Sequence, residues 1–198
     1  MDNAAFGLFT LSAIALLGSP GPAIAVLVAI GRTEGFVRGL RYFTGLQLGL
    51  ATAAGVSAAG LFSLIQLVPA AMQVLTIAAA IYLLWLAWKI ASAPLGATDK
   101  EDSVAMSFGA GLFLGLSNPK AYIAFVSLFA SQMIIAGSRD GDSLLKWGTV
   151  VAVMITVDCA WLAVGAGLRR ARLSPRAERT LNVVLGIIIV GATLFSLR

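Results

Sequence analysis

The sequence contains no histidine and a single cysteine, Cys159, in 198 residues. A lone cysteine cannot form an internal disulfide, and without histidine the usual zinc-binding sets cannot be assembled. Charged residues are scarce as well: they make up 12% of the chain, against roughly a quarter in soluble domains. The sequence therefore predicts no metal site and no cofactor, and it excludes an ordinary soluble domain.

Apolar sequence is abundant instead, since 59% of the residues are hydrophobic and the mean hydropathy is +0.93. A bilayer-spanning helix takes about 20 apolar residues, and six such runs can be drawn. They cover residues 4–30, 40–66, 69–90, 108–136, 147–168 and 180–197. We expect an all-α integral membrane protein that forms one transmembrane domain over residues 1–198. The first run is too long for the core of a signal peptide, so we expect it to be retained.

Lysine and arginine explain the net charge of +5, and their distribution predicts the orientation of the chain in the membrane. Most of them lie in the first, third and fifth joints between apolar runs, and few lie in the other joints or at the termini. The positive-inside rule then places both termini outside the cytoplasm. No basic face is combined with aromatic stacking positions, so nucleic acid is not an expected partner.

Helix-breaking residues interrupt the first and the fourth run, at Ser19-Pro20-Gly21-Pro22 and at Ser117-Asn118-Pro119-Lys120. In hydrocarbon, the backbone groups that proline frees are tolerated only inside the protein or against a polar cavity. Broken helices in corresponding positions of two halves are typical of secondary transporters. The two breaks therefore predict a substrate site.

The polar loop 91–107 divides the chain into halves of about 1–92 and 106–198, with three runs each. Because three is odd, the second half must enter the membrane with the opposite orientation, which predicts two inverted three-helix repeats with helices 1 and 4 broken. Two GxxxG motifs, at 45–49 and 111–115, allow close helix contact. We expect internal packing there, with a homodimer contact as the alternative.

Two ionisable residues fall inside apolar runs. Asp158 lies halfway along the fifth run, where a charge costs about 2.5 to 3.5 kcal/mol, so a functional role is favoured over a protonated, structural carboxyl group. Lys120 follows Pro119 in the fourth run. It either extends along its methylene stem to an interface or cavity or faces Asp158 and neutralises it, and the sequence leaves both options open.

The prolines also predict which charge the site attracts. Pro22 and Pro119 suit the first position of a restarting helix, and Asn118 suits the N-cap. The unpaired N–H groups of such helices attract a carboxylate. We therefore expect a small zwitterionic substrate, an amino acid or an analogue, with its carboxylate at the breaks and with its ammonium group or a coupling proton at Asp158. Candidate residues that line the same pathway are Thr44, Gln47, Trp161 and Asn182, although bonds between helices or core packing are the alternatives.

At these residues the chain resembles the LysE/RhtB family of amino-acid exporters. The resemblance covers nearly the whole chain and is strongest at Pro20-Gly21-Pro22 and at Asn118-Pro119-Lys120, with further matches at Arg32, 35–39, 82–89, 158–161 and 181–182. It implies a multi-pass exporter of the bacterial inner membrane that is driven by the proton gradient, and it implies pathway roles for Pro20, Gly21, Pro22, Asn118, Pro119, Lys120 and Asp158. Ala23, Ala79 and Ala87 depart from the family pattern, which leaves the substrate's identity open.

Two other functions fit some of these features. A passive channel for small solutes would use the same polar pathway. An intramembrane enzyme acting on lipid could use Asp158 as an acid or base, but the sequence offers no histidine, no second membrane carboxylate and no paired nucleophile and base. A transporter is therefore preferred, and an enzyme is not expected.

Overall fold

The computed structural model describes residues 1–60, 69–92, 107–171 and 174–196. These residues form eight α-helices and no strand, which confirms the all-α prediction. The helices are α1 (Asn3–Gly18), α2 (Pro22–Glu34), α3 (Phe36–Ala58), α4 (Pro69–Ser92), α5 (Phe108–Ser117), α6 (Pro119–Phe129), α7 (Arg139–Arg170) and α8 (Pro175–Ser196). Most of the predicted loop 91–107 lies outside the described residues.

The first and fourth predicted runs are broken at the expected places. Helices α1 and α2 meet at 64°, and α5 and α6 meet at 53°. Each bent pair is long and apolar enough to count as one span, and so are α7 and the stretch Pro175–Leu194 of α8 taken singly. The described residues thus contain two candidate membrane spans, or four if the bent pairs are included. The protein is a multi-pass membrane protein.

Several predicted helix ends were wrong, because local capping rather than hydropathy sets them. Helix α7 begins at Arg139 instead of 147, because the hydroxyl of Ser138 accepts a hydrogen bond from the N–H of Gly141 at 3.2 Å. Two carboxylates in its first turn favour the positive end of the helix dipole. Helix α6 ends at Phe129 instead of 136, and α8 begins at Pro175 instead of 180.

Lys146 was expected in a joint between apolar runs, but it lies within α7 and is 2% exposed. Its ammonium group pairs with Asp142 at 2.9 Å and donates to the carbonyl of Ser131 at 3.1 Å. The other oxygen of Asp142 accepts from the N–H groups of Ile134 and Ile135 at 2.6 and 2.9 Å. The pair therefore fastens the segment that follows α6 onto α7, which is why two charges are tolerated in a buried position.

Helices α3 and α5 cross through the two GxxxG motifs. A Cβ atom at Gly49 would lie 2.5 Å from the carbonyl oxygen of Leu112, and one at Gly115 would lie 2.5 Å from that of Leu46. Only glycine permits such an approach of two backbones. This contact is internal to the chain, as expected, and the homodimer contact stays a prediction.

A second glycine crossing joins α2 and α7. A Cβ atom at Gly31 would lie 2.9 Å from the backbone nitrogen of Ala166, and one at Gly165 would overlap the backbone of Val28. Both helices end near the arginine-rich joints, at Glu34 and Arg170. The helices of each crossing run in the same direction: α2 and α7 run toward the arginine-rich end, and α3 and α5 run away from it.

Candidate functional site

The two breaks are built alike and lie side by side. Helix α2 begins at Pro22 and α6 begins at Pro119, so each proline occupies the first helical position, as predicted. Proline costs least there because the first N–H groups of a helix lack an intrahelical partner in any case. The chain before each proline is extended, at Gly21 and Asn118. Each break therefore exposes a new helix N-terminus within the protein.

The start of α2 provides unpaired donors. Its first intrahelical hydrogen bond runs from the N–H of Ala25 to the carbonyl of Gly21 at 3.0 Å, and no side chain caps the helix. The N–H groups of Ala23 and Ile24 therefore have no partner among the described residues. They point along the positive end of the helix dipole, an environment that favours an anionic group.

Lys120 connects the two breaks. Its ammonium group donates to the carbonyl of Ser19 and, at 3.4 Å, to that of Pro20. These carbonyls lie just beyond the C-terminus of α1, where a cation is favourable and where the break leaves acceptors without helical partners. Lys120 therefore does not reach toward an interface. It compensates for the break in the other half of the chain.

Gly21 makes this approach of Lys120 possible. A Cβ atom at position 21 would lie 2.9 Å from Cδ and 3.0 Å from Nζ of Lys120. The backbone of Gly21 is extended, with φ of −166°, which any residue can adopt. Glycine is therefore needed at this position because a side chain would collide with Lys120, and not because of the backbone conformation.

Asp158 lies midway along α7 and is 5% exposed. One carboxylate oxygen, Oδ2, accepts a hydrogen bond from Nε2 of Gln47 on α3 at 2.7 Å. The second oxygen, Oδ1, accepts none from the described residues. Gln47 was predicted as a pathway residue, and the structure places it directly against the buried carboxylate.

A cavity of about 40 Å³ lies between the breaks and Asp158. Among the predicted residues, Gly21, Pro22, Asn118, Lys120 and Asp158 line it, whereas Pro20 and Pro119 lie at the breaks without lining it. Lys120 and Asp158 thus share one cavity, but within the described part of the chain they form no ion pair. The electrostatic result is a small space with donors on one side and a carboxylate on the other.

Asn118 occupies the predicted N-cap position of α6 but does not cap it. Its side chain makes no capping hydrogen bond, and its Oδ1 is buried without a partner among the described residues. The backbone carbonyl of Asn118 accepts the first bonds of α6 instead, from Ala121 and Tyr122. The cap preference of asparagine correctly located the helix start but gave the wrong role for the side chain.

Three candidate pathway residues lie elsewhere. Thr44 is exposed, and its hydroxyl donates to the carbonyl of Arg41 in its own helix at 3.0 Å. Trp161 is half-buried and packs against the hydrophobic core. Asn182 is buried near the arginine-rich end, where its Oδ1 accepts from Arg32. These positions are explained by helix packing, and none of the three lines the cavity.

The sequence did not reveal the apolar part of the cavity wall. Leu50, Ala124, Phe125 and Met154 line it, together with Leu16 and Leu17 at the end of α1. They cannot be distinguished by sequence from the many other apolar residues in the same helices. Only their position beside the breaks marks them.

These features define a class of protein. A multi-pass, all-helical membrane protein whose broken helices meet at a buried polar cavity has the architecture of a transporter. The sequence identifies the family: the profile of the LysE type translocators matches residues 14–198, and the chain belongs to that family. It is a transporter and not an enzyme.

Named relatives agree with this assignment. Proteins of Escherichia coli, Shigella flexneri and Shigella sonnei, each named as cysteine/O-acetylserine efflux protein, are 29% identical over 180 residues. The alignment covers 87% of this chain and 87% of each relative. No solved structure matches the chain significantly.

Proposed function

We propose that this protein is a secondary transporter that exports an amino acid, or a closely related small metabolite, across the bacterial inner membrane in exchange for protons. One observation carries the proposal: unpaired N–H groups at the start of α2 and the buried carboxylate of Asp158 belong to a single cavity. A zwitterion satisfies both, because its carboxylate suits the helix N-terminus and its ammonium group suits Asp158. The names of the relatives support testing cysteine and O-acetylserine first.

Six membrane spans, arranged as two inverted repeats with both termini outside, complete the proposal. The halves are residues 1–92 and 106–198. In an inverted repeat the first span is equivalent to the fourth, and the second is equivalent to the fifth. A contact between spans one and five therefore corresponds to a contact between spans four and two. The crossing of α2 with α7 joins spans one and five, the crossing of α3 with α5 joins spans two and four, and each contains helices that run in the same direction.

The two halves are packed differently, which supports alternating access. Both glycine crossings lie toward the arginine-rich side of the breaks. On the opposite side, an open groove of about 900 Å³ runs along the surface between α1 and α7, with Phe6, Thr10 and Gly148 in its walls. We infer a conformation that is closed toward the cytoplasm. In the alternative conformation, the first repeat adopts the packing that the second has here, and the second adopts that of the first. This change closes the groove and opens the arginine-rich side.

Transport by purified protein in liposomes tests the function. We expect saturable L-cysteine or O-acetyl-L-serine flux that a pH gradient drives, together with stimulation by the same solute on the opposite side. A passive channel shows no such stimulation, because its conduction does not require a conformational return step. Flux that is linear in concentration and insensitive to solute on the other side would contradict a carrier.

Asp158→Asn tests the coupling role. We expect this variant to lose accumulation driven by a pH gradient, because an amide cannot exchange a proton. Asp140→Asn is the matched control, since Asp140 is an exposed carboxylate of the same helix. Full proton-driven activity of Asp158→Asn would remove Asp158 from the coupling step.

A cysteine pair tests the closure of the groove. Cys159 is the only cysteine, so Cys159→Ser provides a clean background for Thr10→Cys combined with Gly148→Cys. We expect a short crosslinker to trap α1 against α7 and to stop transport until it is cleaved, while either single variant stays active. A crosslinked protein that transports at the full rate would exclude this movement.

A further inference from the structure

The side chain of Asn118 is buried in the site without any established task. It is 5% exposed, and its Oδ1 has no hydrogen-bond partner among the described residues. Buried polar atoms are almost always paired in folded proteins, so each exception calls for an explanation. Because the side chain does not cap α6, helix formation does not provide one.

The neighbouring side-chain donors of Lys120 and Gln47 are already engaged. The ammonium group of Lys120 is bound to the carbonyls of Ser19 and Pro20, and Nε2 of Gln47 is bound to Asp158. Asn118 and Asp158 line the same cavity. Each of these two lining residues thus has a carbonyl-type or carboxylate oxygen that accepts nothing from the described residues.

A group that can satisfy two such acceptors is a small cation with several N–H donors. An ammonium group has three donors and no acceptor. The cavity of about 40 Å³ is larger than the space that one water molecule needs, so an ammonium group fits in it. It has no room for a whole amino acid, so substrate binding must widen the site beyond the present conformation.

We propose that Asn118 determines substrate specificity by accepting a hydrogen bond from the substrate's α-ammonium group, which it shares with Asp158. This inference rests on the proposed function. The carboxylate of the substrate then lies toward the N–H groups of Ala23 and Ile24. Solutes that lack the ammonium group leave the acceptors unpaired, and the site discriminates against them for that reason.

Paired substrates test this role in liposomes that contain the purified full-length protein. The probes are L-cysteine and N-acetyl-L-cysteine, which differ in whether the nitrogen can be protonated. L-serine and N-acetyl-L-serine repeat the measurement with another side chain. The variants are Asn118→Leu, which removes the acceptor at nearly constant volume, and Asn118→Asp, which keeps an acceptor. Ser117→Ala is the control, because the buried hydroxyl of Ser117 is bound within its own helix to Phe113 at 2.6 Å.

We expect Asn118→Leu to raise the KM for L-cysteine about 10- to 100-fold, the value of one hydrogen bond to a charged group, and to leave the KM for N-acetyl-L-cysteine unchanged. Asn118→Asp and Ser117→Ala should keep the wild-type preference. If Asn118 only holds a buried water molecule, Asn118→Leu changes both KM values equally, and the inference is wrong although transport persists. If the wild-type protein transports neither amino acid, the proposed function fails and the inference fails with it.

Discussion

Nε2 of Gln47 donates a hydrogen bond to Oδ2 of Asp158 at 2.7 Å, and this bond joins α3 to α7 at the level of the cavity. Both side chains are buried, at 9% and 5% exposure. Asp158 is thus held in place by one amide while its second oxygen stays available. A carboxylate arranged in this way can bind a cation or a proton without losing its position in the fold.

Removing that amide should therefore affect stability and transport together. We expect Gln47→Leu to lower the free energy of unfolding by about 1 to 3 kcal/mol, because it leaves a buried acceptor without its donor. Denaturant unfolding in detergent micelles measures the change. Thr52→Val is the control, since the exposed hydroxyl of Thr52 bonds to Leu48 in its own helix. Equal losses in the two variants would show that the bond between α3 and α7 contributes nothing particular.

The contact between the two breaks predicts that Gly21 and Lys120 act as one unit. A methyl group at position 21 displaces the end of the lysine side chain, so Gly21→Ala and Lys120→Met should each cost up to about 3 kcal/mol, the upper value of a hydrogen bond to a charged group. The double variant should cost little more than either single variant, because both remove the same interaction. Unfolding measurements on the four proteins give the coupling energy. Additive effects would show that Gly21 and Lys120 do not act together. Gly18→Ala is the control: its added atom makes only an ordinary contact with Val157 at 3.8 Å, so it should not couple to Lys120.

The glycines of α7 predict opposite signs for the same substitution. Gly165→Ala forces a methyl group into the backbone of Val28 and should destabilise the protein by about 1 to 3 kcal/mol, as overpacking does. Gly167→Ala, two residues further along, meets no atom of the described residues within 4 Å. It should stabilise the protein by up to about 1 kcal/mol through helix propensity alone. Thermal unfolding of both variants checks the signs, and stabilisation by Gly165→Ala would disprove the tight crossing.

A polar cluster near the arginine-rich end predicts that arginine cannot be replaced there by lysine. The guanidinium of Arg32 donates to Asn182 through Nη1 and to Glu178 through Nη2, which ties α2 to α8. A lysine ammonium group cannot reproduce that planar fork. Arg32→Lys should therefore lower the free energy of unfolding by about 1 to 3 kcal/mol, and Arg41→Lys, at an exposed position, should leave it nearly unchanged. The same small change in both variants would contradict the bidentate role.

The sequence predicted those parts of the site that depend on local chemistry. Proline cannot continue a helix and suits the first position of the next one, so the starts of α2 and α6 could be predicted to the residue. Asp158 stood out because its carboxylate is costly in an apolar run. The two GxxxG motifs indicated a close helix contact, and the structure shows which helices make it.

Helix ends and side-chain partners depended on residues that are distant in sequence. Helix α7 begins at Arg139 because Ser138 caps it, and the buried Lys146 within it is compensated by Asp142 and Ser131, which hydropathy does not register. Asn182 looked like a pathway residue until α8 was placed against Arg32. Thr44 and Trp161 were polar or amphipathic candidates that do not line the cavity.

The sequence by itself determined that this chain is an all-helical membrane protein, where two of its helices break, and which carboxylate is buried among them, because each of these follows from the free energy of a backbone group or charge in an apolar run. Only the tertiary structure decided that Lys120 contacts the opposite break instead of Asp158, that Gln47 holds Asp158, and that the amide oxygen of Asn118 has no partner among the described residues. Those outcomes are pairwise contacts between spans, and the distances that fix them arise when glycine crossings bring the backbones together.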